Sequence, residues 1–169
     1  MLKKMLTLSA LSLSFSVTAA EISIDVEVPQ LDVAEYHRPY VALWIEQNNK
    51  HVADLNVWYD LKMKDNEGEK WLKDMRQWWR KSGRSLEFPV DGVSAATRPV
   101  GTHTLNFTHD HQALKQLAAG EYQLIVEAAR EVGGRELVKI PFNWPPKASE
   151  TLSTQGNSEL GKINLTLTP

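Results

Sequence analysis

The 169 residues are 42% hydrophobic and 24% charged, a balance that belongs to a folded globular domain and excludes a disordered chain, a collagen or a coiled-coil rod. Nineteen Lys and Arg against 21 Asp and Glu give a formal net charge of -2, so there is no basic surplus to hold a phosphate backbone, and nucleic acid is not an expected partner. The absence of cysteine excludes disulfide scaffolds, thiolate zinc centres, iron-sulfur clusters, c-type haem and thiol nucleophiles.

Residues 1–20 have the composition of a cleaved secretion signal. Lys3 and Lys4 precede an apolar, small-residue run from Met5 to Val17, and Thr18-Ala19-Ala20 closes it with side chains that signal peptidase accepts. The run is too short and too rich in serine for a spanning helix. Processing near Ala20 and a periplasmic location are therefore expected, with residues 21–169 forming a single domain.

Residues 21–28 alternate strictly, Ile22, Ile24, Val26 and Val28 against Ser23, Asp25 and Glu27, and predict a half-buried strand. Pro39 opens the apolar run 40–46. Gln47-Asn48-Asn49-Lys50 separates it from residues 51–59, where Val52, Leu55, Val57 and Tyr59 alternate imperfectly, and the pair reads as a hairpin. Over residues 69–81 the period changes: Trp71, Leu72, Met75, Trp78 and Trp79 fall at i, i+1, i+4, i+7 and i+8, which predicts an amphipathic helix ending at Ser82-Gly83. Helical spacing assigns Trp71, Met75 and Trp78 to the core and leaves Trp79 as the surface ring.

Strand patterns resume at 102–107, 122–128, 136–143 and 162–168, with turns at Ala119-Gly120 and Gly133-Gly134, while residues 147–161 after Pro145-Pro146 read as a long surface loop. Seven strands and one helix predict an all-β fold: an immunoglobulin-like antiparallel β-sandwich with one inserted amphipathic α-helix.

The stretch Asp91-Gly92-Val93-Ser94-Ala95-Ala96-Thr97-Arg98-Pro99 places three small side chains before a threonine, then a proline that cannot continue a helix or a central strand. Such a loop presents the Thr97 hydroxyl with little steric cover, and Arg98 puts a positive charge beside any phosphodiester formed there. On composition alone it is a connecting loop. His103, His109 and His111 read as polar loop residues with at most adventitious metal binding, since 109 and 111 share a strand face and 103 lies across a turn. Glu127 and Glu131 read as charges that solvate a sheet edge. No Gly-x-Ser-x-Gly, His-Glu-x-x-His or phosphate-loop pattern occurs, so an autonomous enzyme is the least supported class.

Two resemblances add to this. Asp91, Ser94, Ala95, Ala96 and Thr97 resemble the acceptor motif of FAD:protein FMN transferase, in which an Asp, two variable residues, Ser or Thr, a small residue and Ala precede the modified Thr or Ser. Ala95 stands where that motif usually has glycine. The resemblance implies FMN attached to Thr97 by a phosphoester, as in the flavin-carrying subunits of the sodium-pumping NADH:quinone oxidoreductase. It also implies Asp91, Ser94, Ala95 and Ala96 as the recognition loop, and Arg98 beside the phosphate. A tethered ring needs an apolar face, which Trp79, or else Trp78 or Trp44, would supply.

The second resemblance covers nearly all of residues 21–169. Arg38-Pro39-Tyr40-Val41-Ala42-Leu43-Trp44-Ile45-Glu46, Lys70-Trp71-Leu72, Ala96-Thr97-Arg98-Pro99, Gly120-Glu121-Tyr122 and Glu127-Ala128-Ala129-Arg130-Glu131 resemble the periplasmic family known as domain of unknown function 2271. It implies a soluble periplasmic electron carrier with the FMN transferase and a PepSY-type membrane reductase as partners, linked to iron acquisition. The competing expectation is a cofactor-free sandwich that binds a ligand or a membrane-protein partner through its aromatic helix.

Overall fold

In the computed structural model, which describes residues 20–169, nine strands occur: β1 (Glu21–Val28), β2 (Tyr40–Gln47), β3 (Lys50–Tyr59), β4 (Ser94–Ala96), β5 (Gly101–Phe107), β6 (Gly120–Ala129), β7 (Arg135–Trp144), β8 (Glu150–Gln155) and β9 (Lys162–Thr168). The signal-peptide reading covers residues 1–20, of which 1–19 lie outside the described residues; Ala20 is described and is buried. β5, β1, β9 and β8 form one antiparallel sheet in that order; β4, β3, β2, β6 and β7 form the other. The all-β sandwich is as expected, with two strands more than the pattern predicted. β8 lies inside the span read as a loop, where only Leu152 of its six residues is a large apolar side chain, too weak an alternation to read as a strand. β4 is three residues long and pairs with β3 in parallel, the one departure from antiparallel order.

The two sheets differ in how many faces they bury. In β1 and β9 every second residue enters the core between the sheets, as the strict alternation requires. β2 is buried from Tyr40 to Glu46 without a break. Val41, Leu43 and Ile45 face the inter-sheet core, and Tyr40, Ala42 and Trp44 face a second apolar cluster on the outside of the same sheet. A strand covered on both faces shows a continuous apolar run in place of alternation.

The β2–β3 hairpin turns at Asn48 and Asn49, with φ of 51° and 61°, the pair of positive values that a tight two-residue hairpin turn needs and that asparagine tolerates. In β3 the cross-strand register skips Leu55 and Val52, so that each is an extra residue opposite β2. These two bulges are why alternation in β3 is imperfect.

The outer cluster is covered by residues 60–90, where the sequence predicted one helix over 69–81. The chain instead forms a 3-10 helix, Lys64–Asp74, broken by left-handed Asp65 and Asn66, then a six-residue α-helix α1 (Arg76–Lys81). With three residues per turn the inward stripe is Leu72, Met75 and Trp78, each 0% exposed, and Trp71 is turned out to 46% exposure. Trp71 is thus corrected from core to surface.

Glu127 is also corrected. It is 0% exposed, and its carboxylate accepts from Gln77 N at 3.0 Å and Trp78 N at 2.7 Å while pairing with Arg135 Nη1 at 2.6 Å. A β6 carboxylate thereby caps α1 from beneath and clamps it to the sheet. Trp78 Nε1 and Ser82 Oγ donate to Asp54 of β3, fixing the other end.

Candidate functional site

At one end of the five-stranded sheet, β3, β4 and β6 terminate and β2 begins. Because β4 runs parallel to β3, with Ala96 opposite Tyr59, the residues following each strand emerge side by side. Thr97 N donates to Tyr59 O at 3.2 Å, and Thr97 Oγ1 donates to Asp60 Oδ1 at 3.0 Å. β6 delivers Ala129, Arg130 and Glu131 to the same end, since Ala129 pairs with Tyr40 at the start of β2. The 3-10 helix adds Trp71 and Asp74, and the β1–β2 connection adds Tyr36, His37 and Arg38.

These residues, with Met63, line a cleft of about 280 Å³, near the small end of the range for ligand sites. Two other hollows, of about 520 and 670 Å³, are lined by none of the site residues predicted from the sequence.

The cleft is lined by aromatic and charged side chains together. Trp71 is its exposed indole. The Tyr40 phenol is pushed up to about 12, first by burial, with the Asp60 charge adding and an Asp60 backbone hydrogen bond opposing, so Tyr40 is a neutral donor at ordinary pH. Tyr36 is also raised, by burial first, with Arg130 and Arg38 pulling it down and Glu159 pushing it up. Arg130 donates from Nε to Glu159 Oε2 at 2.7 Å and from Nη2 to Glu159 Oε1 at 3.2 Å. Arg130 Nη1 and Tyr36 Oη are buried without a hydrogen-bond partner among the described residues.

Of the residues predicted from sequence, Thr97 alone lines this cleft. It is 9% exposed, so the small residues before it do not leave it open; Asp60 holds its hydroxyl. Asp91 is exposed in a turn completed by Gly92 at φ 70°, a left-handed position that favours glycine. Ser94 Oγ accepts from Val90 N at 2.9 Å and so closes that loop. Ala95 and Ala96 are in β4, outside the left-handed region, so alanine in place of the motif's glycine brings no backbone strain. Arg98 lies with Cζ 5.7 Å from the Trp58 ring centroid and does not line the cleft.

Trp79 is half-buried and tilted against Trp78, with centroids 6.3 Å apart, away from the cleft lining. Trp44 and Trp78 are 0% exposed and offer no face to a ligand. The indole at the cleft is Trp71, which the helical period assigned to the core. Tyr36, Arg38, Asp60 and Arg130 were also missed as site residues: they come from three separate segments, and no local spacing joins them.

His103 lies in strand β5 and not in a loop, while His109 and His111 fall in the turn and bend after that strand and share no strand face. His103 Nε2 lies 2.7 Å from Pro99 O, and His111 Nδ1 accepts from Ala113 N ahead of the short helix Gln112–Lys115. Among the described residues no group of three or more His, Asp or Glu is placed to hold a metal, and no helix is long and apolar enough to cross a membrane.

Fold and site together define a two-sheet β-sandwich domain with a small ligand-sized cleft at one end of its doubly covered sheet. The family described as predicted periplasmic protein (DUF2271) matches residues 21–162, and the chain belongs to that family, which agrees with the exported, periplasmic reading of its sequence. No curated protein and no solved structure matches the chain.

Proposed function

We propose that this protein is a periplasmic electron carrier that holds FMN through a phosphoester to Thr97. One observation carries the reading: the threonine at the acceptor position of the resembled motif lines a cleft that is also lined by an exposed indole, Trp71, and by Arg38 and Arg130. The residues present fit the group. Trp71 offers an apolar face for a flat ring, and the unpartnered donors of Arg130 and Tyr36 are of the kind that phosphate oxygens accept.

When bound, FMN supplies transfer of one or two electrons. The chain's own part is to tether, orient and shield. The turn at Asp91 and Gly92, with Ser94, Ala95 and Ala96, is the surface read by the FAD:protein FMN transferase. A phosphoester oxygen carries no proton, so modification ends the Thr97 to Asp60 hydrogen bond and leaves Asp60 facing the cleft. Electrons arrive from a membrane reductase of the PepSY type and leave to an acceptor in iron acquisition.

Intact-protein mass spectrometry of the chain purified from a periplasm that contains the transferase tests this. The expected result is an increment of one FMN less water, mapped to Thr97 and absent from Thr97→Ala. An unmodified chain beside a demonstrably active transferase would overturn it.

A further inference from the structure

Two buried hydrogen-bond donors, on side chains that line the cleft, have no partner among the described residues. The Arg130 side chain is 5% exposed, and Glu159 takes its Nε and Nη2, yet Nη1 has no partner among the described residues. Tyr36 Oη, on the same cleft, is equally buried and equally without a partner. Buried polar groups in folded proteins are paired as a rule, and an unpaired charged donor is among the costlier exceptions.

The guanidinium is not free to turn toward water. Its Nε, Nη2 and Cζ lie 2.5 to 2.8 Å from where a Cβ on Gly133 would stand, so the β6–β7 turn closes directly over it and needs glycine there. Of the carboxylates nearby, Glu159 takes a third bond from Gly134 N at 2.7 Å, Asp60 accepts from Thr97 while that hydroxyl is free, and Glu131 lies 3.5 Å from His37. Asp74 stands at the exposed rim.

We infer that Arg130 Nη1 and Tyr36 Oη form a seat for one phosphate group of a ligand whose flat ring lies against Trp71. A guanidinium edge held rigid by its own carboxylate is pre-organised for phosphate oxygens, and the phenol supplies a neutral second donor. The seat rests on the cleft alone; the flavin identity of the ring rests on the function proposed above. Two sources share the chemistry, the phosphodiester that ties a flavin to Thr97 and the phosphomonoester of a free flavin nucleotide.

Two arms test it. In the first, unmodified protein made without the transferase is titrated with FMN, riboflavin and inorganic phosphate, following tryptophan fluorescence. FMN is expected to bind about tenfold more tightly than riboflavin, as a charge-assisted hydrogen bond warrants, with phosphate competing against FMN alone. Tyr36→Phe, which removes only the unpartnered hydroxyl, is expected to erase most of that preference and leave riboflavin binding unchanged. In the second arm, the phosphorus resonance of flavinylated protein is compared between wild type and Tyr36→Phe. A shift there without FMN preference in the first arm supports a seat for the tethered phosphate only. Equal binding of FMN and riboflavin together with an unmoved resonance, or with no flavinylated protein formed, overturns the seat. The first arm does not depend on modification of Thr97, so failure of the flavin-carrier reading leaves it intact.

Discussion

Thr97 Oγ1 donates to Asp60 Oδ1 at 3.0 Å, across 37 residues of sequence. The contact exists because β4 and β3 end side by side in parallel. It is the link that holds the loop after β4 against the cleft.

Loss of this bond is expected to have a small, separable cost. Thr97→Val should lower stability by about 1 kcal/mol, the usual net worth of one hydrogen bond, because half-buried Asp60 can recover water. Thr97→Ser should retain most of it. Urea unfolding midpoints of the two variants check this, and a larger loss in Thr97→Ser than in Thr97→Val would contradict it.

Trp78 and Trp71 should separate sharply on truncation. Trp78, 0% exposed and bonded to Asp54, is expected to cost about 3–5 kcal/mol as Trp78→Ala. Trp71→Ala, at a 46% exposed position, should stay under about 1 kcal/mol. Chemical denaturation of both variants decides it, and similar losses would return Trp71 to the core.

Glu127→Ala removes the acceptor of two α1 backbone donors and one arginine bond. The arginine partner is 41% exposed and can return to water, but the helix N–H groups cannot do so fully. A loss of about 3 kcal/mol is expected, with red-shifted tryptophan emission as α1 loosens over Trp78. Unchanged stability would show that water caps the helix equally well.

Glu136 makes part of the stability depend on acid. Burial pushes its carboxyl up, but the backbone N–H groups of Asn157, Leu160, Ser158 and Glu159 together outweigh this, and it ends below its ordinary value of 4.5. A depressed folded-state pKa contributes stability that is full above the unfolded value and is lost as pH falls through the folded one. The urea midpoint of wild type should therefore exceed that of Glu136→Gln by a constant margin above pH 5, narrowing as pH drops below 4.5. A margin that does not narrow would exclude the carboxylate's charge as its source.

The β-sandwich was legible because alternation in β1 and β9 and the unbroken run in β2 report directly how many faces of a strand are covered. β8 was not, since an edge strand with polar side chains on both faces leaves almost no pattern. Thr97 was singled out by its loop sequence, and the structure places it on the cleft. The cleft around it was not legible, because Tyr36, Asp60, Trp71 and Arg130 are joined only by where four strand ends and a 3-10 helix meet.

The sequence by itself determined which strands pair one covered face with an open one, where the β2–β3 chain reverses, and which threonine ends the stretch that resembles an acceptor motif, all properties of neighbours a few residues apart. Only the tertiary structure decided that Trp71 faces out, that Glu127 lies buried beneath a helix, and that Arg130, on the cleft that Thr97 also lines, keeps one donor unpaired among the described residues. Periodicity states that a face is covered, whereas the winding of the covering segment and the partners of each charge depend on contacts that no local pattern encodes.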